Sequence, residues 1–300
     1  MKKGTRIVLI AAAALMAIGL IVGAVGHFAL GGGRAEALST EERTVSIAEN
    51  LSSLSIDCMS ARVRLLPSED GACRVDFSES ERVRTNVEAR NGELRIEQKQ
   101  KSWLNLSFFS FGSFDYYVDV YLPKSEYETL DVETMSGSIS AAKELSFRNV
   151  KLETLSGSIT LDSAVSGSAE LDSKSGSISA GGFDCERIIV ECTSGRISIY
   201  DISCSEAKIG CVSGRIELAR LAASEKLRAS NVSGSIHFED CDGGEVHFEA
   251  VSGSIRGSLL SGKRFHTSTV TGRVRVPEST EGGSCTLETV SGGIEVTISK

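Results

Sequence analysis

From residue 136 onward a Ser-Gly or Thr-Gly pair returns nine times at a near-constant interval. Its glycines are Gly137, Gly157, Gly176, Gly195, Gly214, Gly234, Gly253, Gly272 and Gly292. The intervals run 20, 19, 19, 19, 20, 19, 19 and 20 residues. A fixed period of this size means one structural unit stacked many times.

The columns around the glycine define the unit. Two residues after it stand Ile139, Ile159, Ile178, Ile197, Ile216, Ile236, Ile255, Val274 and Ile294. Five before it stand Val132, Leu152, Leu171, Val190, Ile209, Ala229, Phe248, Thr267 and Leu287. Apolar and polar columns alternate with period two, so the elements are strands, and the Ser-Gly pair is the corner where the alternation resets. Glycine suits a corner that needs positive φ or close backbone approach. One coil cannot bury its apolar side alone, whereas stacked coils turn each column into an interior ladder. The fold expected is an all-β parallel β-solenoid of 19–20-residue coils, each rising by about 4.8 Å. Only 3 prolines among 300 residues fit that reading, because proline is excluded from sheet interiors. The regular solenoid is assigned to residues 137–300. Before it, Leu54, Ile56, Cys58, Ala61, Val63 and Leu65 keep the spacing with Ala61 in the glycine place. Val87, Ala89, Gly92, Leu94 and Ile96 fit again with Asn91-Gly92 as a corner. Residues 44–136 are therefore irregular early coils or a separate cap.

The N-terminus is of another kind. Lys2, Lys3 and Arg6 precede an uncharged apolar run from Ile7 to Leu30, 24 residues long, enough to span about 30 Å of hydrocarbon as a helix. The cations on its N-terminal flank place residues 1–6 in the cytoplasm and the rest outside. Residues 7–30 form a transmembrane anchor in this reading and 31–43 a linker. A cleaved signal peptide ending near Ala35-Glu36-Ala37 is the rival. The formal charge is −8, and beyond residue 37 it becomes 28 cations against 39 anions, or −11. That excess excludes a general nucleic-acid binder, which needs cations against phosphates. With 41% apolar and 24% charged residues the chain is not a disordered tail either.

An N-terminal anchor, irregular strands and then repeated Ser-Gly-Ser-Ile segments, beginning at Ser136-Gly137-Ser138-Ile139, resemble the "putative adhesin" family of bacterial surface proteins, a domain of unknown function. The resemblance covers roughly residues 44–300. It implies an exported or membrane-anchored β-solenoid at the cell surface, carries no catalytic residues over, and adds a second setting, because some members belong to cell-envelope stress systems.

Several features bear on chemistry. Cys185 and Cys204, and Cys192 and Cys211, are each 19 residues apart and should stack on adjacent coils, either as small interior residues or as disulfides. No C-x-x-C occurs, so zinc is poorly supported. His247 and His266 are also 19 apart and read as a solvated pair on adjacent coils without a third metal ligand. Glu133, Glu153, Asp172 and Glu191 form an outward column that keeps a long sheet soluble, with calcium binding or acid–base work as the sharper readings. Arg196 and Arg215 stack beside the corner and read as solvated cations, or as a grip on an anionic glycan. The stretch from Trp103 to Tyr121 holds eight of 17 aromatics. Trp103, Phe108, Phe109, Phe111, Phe114, Tyr116 and Tyr117 are its candidate contact surface; they equally suit a plug for the solenoid's N-terminal end. The final coil, with Ile294, Val296 and Ile298, has nothing after it in sequence and is expected to leave an open edge for self-association.

An enzyme on this scaffold should break the repeat and cluster polar residues at the break. The repeat stays even from Gly137 to Gly292, so no catalytic residue, cofactor or metal is assigned. The expectation is a non-enzymatic, membrane-tethered bacterial surface protein presenting a rigid solenoid for adhesion or scaffolding, its partners an extracellular protein or glycan. The alternative is an accessory or sensory component of an envelope-stress pathway.

Overall fold

The computed structural model describes residues 40–100, 116–279 and 281–299. They are strands and turns throughout, wound into one continuous hydrogen-bonded sheet. Each coil contributes a long strand before the corner glycine and a shorter one after it. The long strands stack in parallel register: Ser53–Cys58 on Glu126–Ser136, then Ser146–Ser156, Ser168–Ser175 and the continuous Arg187–Ser233 strand, which winds through three coils. The short strands form a second parallel ladder from Arg62–Pro67 through Ile139–Ala141, Ile159–Leu161 and Ile178–Asp184. The isoleucine column lies inside it, with Ile139, Ile159, Ile178, Ile197, Ile216, Ile236 and Ile255 all fully buried.

The corner explains the glycine. A Cβ added to any of the nine glycines would lie 1.7 to 2.0 Å from the corner carbonyl oxygen of the neighbouring coil. Eight of the nine also hold φ between +143° and +158°, which L side chains rarely adopt. The carbonyl that crowds the glycine needs a donor, and the column three residues before the glycine supplies it at seven of nine positions, Thr134 Oγ1 making no hydrogen bond among the described residues. Thr154 Oγ1 donates to Gly137 O at 3.3 Å, Ser173 Oγ to Gly157 O at 3.0 Å and Asn231 Nδ2 to Gly214 O at 3.0 Å. Thr289 Oγ1 donates to Gly253 O at 3.0 Å and Thr269 Oγ1 to Gly292 O at 3.2 Å. Cys192 and Cys211 take the same place, with Sγ 3.3 Å from Gly176 O and 3.8 Å from Gly195 O. Ala250 stands in this column beside Gly234 O without a donor.

A second corner recurs six residues after each corner glycine. Gly182, Asp201, Arg220 and Asp240 occupy matching places with φ of 80°, 52°, 51° and 51°. Beyond it a short third face buries Phe183, Ile202, Leu221, Cys241 and Leu259. The segment from Glu239 to Gly244 thus contains a corner, at Asp240, and a core residue, Cys241.

Both ends depart from sequence order. Asn91 and Gly92, with φ of 54° and 80°, make a two-residue hairpin turn between the antiparallel strands Val83–Arg90 and Glu93–Gln100. Asn-Gly matches the twist of a tight hairpin, so this pair is not a solenoid corner as its spacing implied. Leu94 and Ile96 instead sit beside Leu54 and Ile56, outside the Ser53–Cys58 strand. At the other end, Ser284–Ser291 pairs with the 245–252 segment on one side and with Arg264–Thr271 on the other. Ile294–Ile298 likewise lies between Ile255–Leu259 and Val274–Arg275. The final coil is therefore covered on both flanks, and the open edge expected there belongs to the coil before it. Burial of apolar area accounts for the exchange. Cys285, Leu287, Ile294 and Val296 become buried, while the coil with Thr267 and Thr269 in its core columns takes the end, as terminal repeats with polar faces do.

Gly176→Ala is expected to cost at least about 3 kcal/mol, because a backbone carbonyl must move. Gly71→Ala should cost only about 1 kcal/mol, since φ there is +74° but nothing lies within 4 Å of the added carbon. Ala250→Ser should stabilise by about 1 kcal/mol through the missing donor, and Ser173→Ala should lose a similar amount. Urea midpoints of the four variants check this; a destabilised Ala250→Ser would contradict the donor role of the column.

Candidate functional surface

Outward columns of the long-strand ladder carry the most organised surface of the molecule. Four residues before the corner, Glu133, Glu153, Asp172 and Glu191 stand directly beside one another on successive strands. Asp57 and Glu97 extend the row. Lysines from neighbouring columns offset part of it: Lys151–Glu153 at 3.1 Å, Lys174–Asp172 at 2.6 Å and Lys208–Glu191 at 2.8 Å. These are solvated pairs of small individual worth.

Beside the carboxylates runs a further column, two residues before the glycine, that the alternation alone does not single out. Met135, Leu155, Val212, Val232, Val251 and Val290 are each between 44% and 54% exposed. Met59 starts the ridge, Lys174 and Thr193 interrupt it, and Val270 on the outermost coil is 77% exposed. The signal was available, because an outward position in an alternating strand should be polar. Scattered exposed apolar residues are ordinary, whereas a row in register is a contiguous patch. A depression of about 520 Å³ lies across the first part of the ridge, lined by Glu133, Met135, Glu153, Leu155, Asp172 and Lys174 among others.

Other candidates resolve individually. Arg196 and Arg215 both reach Glu217, at 3.9 and 3.4 Å, so they form a local surface ion network. His247 and His266 are not on adjacent coils: each flanks Thr286 from opposite sides. The order of the coils at this end separates them, despite their 19-residue spacing. Among the described residues no group of three or more His, Cys, Asp or Glu is arranged to hold a metal ion. All eight cysteines carry free thiols. Burial pushes the Cys58 and Cys285 thiols up to about 12, and those of Cys73, Cys192 and Cys241 to about 11. Such thiols remain protonated at neutral pH and are poor nucleophiles. Cys185 is raised too, by its hydrogen bond with Cys204 and by burial.

Tyr116 is buried, with its hydroxyl 2.8 Å from Ser80 Oγ. Tyr117 is half-buried and its backbone N–H donates to Ser78 Oγ at 3.0 Å. Trp103, Phe108, Phe109, Phe111 and Phe114 lie outside the described residues, as does the Ile7–Leu30 run. Among the described residues no helix is long and apolar enough to cross a membrane.

Two of the ion pairs that join neighbouring coils also hold their carboxylates in the charged form. Arg220 reaches Asp201 at 2.5 Å across neighbouring second corners. Lys263, itself buried, donates to Gly243 O at 2.8 Å and pairs with Asp242 at 2.5 Å. Partial burial works against the charge on Asp242, but hydrogen bonds from Lys263, Ser261 and the Gly243 N–H outweigh it and hold the carboxyl below its usual range. The Arg220 hydrogen bond does the same for Asp201. A carboxylate with a depressed folded-state pKa contributes stability above its unfolded pKa, near 4, and loses it as pH falls through the folded value. Stability should therefore drop below about pH 4. The Asp242→Asn/Lys263→Met double variant should show a shallower drop between about pH 5 and 3 in urea melts. An unchanged slope would mean that this pair makes no acid-sensitive contribution.

The chain is similar to solved structures of the same architecture. One, described as a putative lipid binding protein from Parabacteroides distasonis, is 18% identical, covers 86% of this chain and 97% of its own, and has a TM-score of 0.53. Another, described as a putative adhesin from Parabacteroides merdae, is 13% identical, with 88% and 98% covered and a TM-score of 0.52. At these identities the likeness is one of fold. No curated protein matches the chain. A family model matches residues 51–259, from the Ser53–Cys58 strand to the Ile255–Leu259 strand, and by that match the chain belongs to the Toastrack DUF4097 family.

Proposed function

We propose that the chain is a non-enzymatic surface protein, tethered by residues 7–30, that presents its solenoid outside the cell for adhesion or scaffolding. The observation carrying this reading is the apolar ridge on the long-strand face, held in register beside a row of carboxylates. A face with straight, evenly spaced rows suits an extended partner such as a glycan or a protein strand. Apolar contact there supplies affinity, and the charges beside it supply orientation. The adhesin description of a structural neighbour supports the same reading.

Two measurements test it. Protease added to intact cells should remove the solenoid and leave a short membrane-bound fragment; mature protein in the medium beginning near Leu38 would overturn the tether. Beads coated with the full chain should be retained on an array of glycans and extracellular proteins. The Leu155→Glu/Val232→Glu variant should lose at least about tenfold in retention while melting normally, because both side chains are already solvated. Equal retention by both proteins would remove the ridge as the binding face.

A further inference from the structure

The short-strand ladder has two free edges among the described residues, and they match. At the N-terminal end Glu41–Ile47 pairs only with Cys73–Glu79, antiparallel, and that strand pairs antiparallel with Tyr117–Leu122. Two reversals restore direction, so Glu41–Ile47 runs parallel to the rest of the ladder. At the far end Val274–Arg275 pairs only with Ile294–Ile298, again parallel. A second copy moved along the solenoid axis would therefore set its first strand against this last one in the same parallel sense that the fold uses internally.

Charge agrees with direction. Residues 264–277 hold Arg264, Arg273 and Arg275 and no carboxylate, in a chain of net negative charge. Of the three, only Arg275 has an ion-pair partner among the described residues, Glu295 at 3.7 Å. The opposite edge holds Glu41, Glu42 and one cation, Arg43, which reaches the buried Glu79 at 2.6 Å and Glu41 at 3.4 Å, so carboxylates outnumber cations there. A copy turned the other way would set arginine against arginine. Residues 1–39 carry four cations and one anion, the wrong sign for the arginine edge.

We propose that copies of this chain associate head to tail, the Glu41–Ile47 edge of one copy continuing the Val274–Arg275 edge of the next. The contact is heterologous and does not close, so it yields short linear runs. The contact adds a single strand pairing at each junction, so the association is reversible and dependent on local concentration.

The test is photo-crosslinking in cells that express the full chain, with p-benzoylphenylalanine in place of Val274. A ladder of dimers and higher species is expected, with crosslinks mapping to residues 41–47. Arg273→Glu/Arg275→Glu should reduce the ladder at least tenfold, and adding Glu41→Arg/Glu42→Arg should restore it. Limited proteolysis of each variant confirms the folded core. Absence of a ladder in folded protein, a ladder undiminished by the arginine changes, or crosslinks to a different protein would each overturn the proposal. Bead retention through the long-strand face is independent of all three outcomes.

Discussion

Everything in this solenoid rests on how closely one coil's corner can approach the next. The glycine Cα sits against a carbonyl oxygen at a distance no side chain tolerates. That approach would leave a half-sheltered acceptor without a partner. A hydroxyl, thiol or amide three residues earlier supplies the hydrogen bond. The two columns form one device. Glycine permits the tight stack, and the donor column makes it favourable despite the polar group that it shelters. The strand spacing, the isoleucine ladder beneath the corner and the outward rows all inherit their register from this point.

The ends obey a different constraint. Identical coils stacked without limit would expose an apolar layer at both extremities. The molecule answers by exchanging coil order. An apolar strand is drawn inward and a segment with more polar core positions or a hairpin takes the outside place, at residues 93–100 on one side and 264–276 on the other. At the first end this also reverses strand direction, and the two successive reversals leave the terminal edge parallel again.

Much of the architecture was legible in the sequence because it is periodic. The nine glycines, the isoleucine column and Ala61 in the glycine place all appear where their spacing put them. What could not be read was whatever the period does not encode. Asn91-Gly92 satisfies both a corner and a hairpin turn, and only its partners decide. The order of the last two coils depends on which one gains more by burial, a comparison of Thr267 and Thr269 with Leu287 and Ile294 that spacing alone does not raise. The second corner was missed for a different reason: its residues are Gly182, Asp201, Arg220 and Asp240, chemically unlike one another and alike only in a left-handed backbone. The exposed ridge was readable as an apolar column on an outward position. Valine is itself a strand former, so at an outward position it leaves the strand pattern unbroken.

The placement of the final coil has a mechanical consequence. In a solenoid wound strictly in sequence order, tension on the last residue would peel coils away one by one, each along a single seam. Here Ser284–Ser291 and Ile294–Ile298 are bonded on both flanks. A pull on the C-terminus must tear two seams at once before any coil is released. A locked end of this kind makes unwinding from the C-terminus a cooperative event rather than a stepwise one.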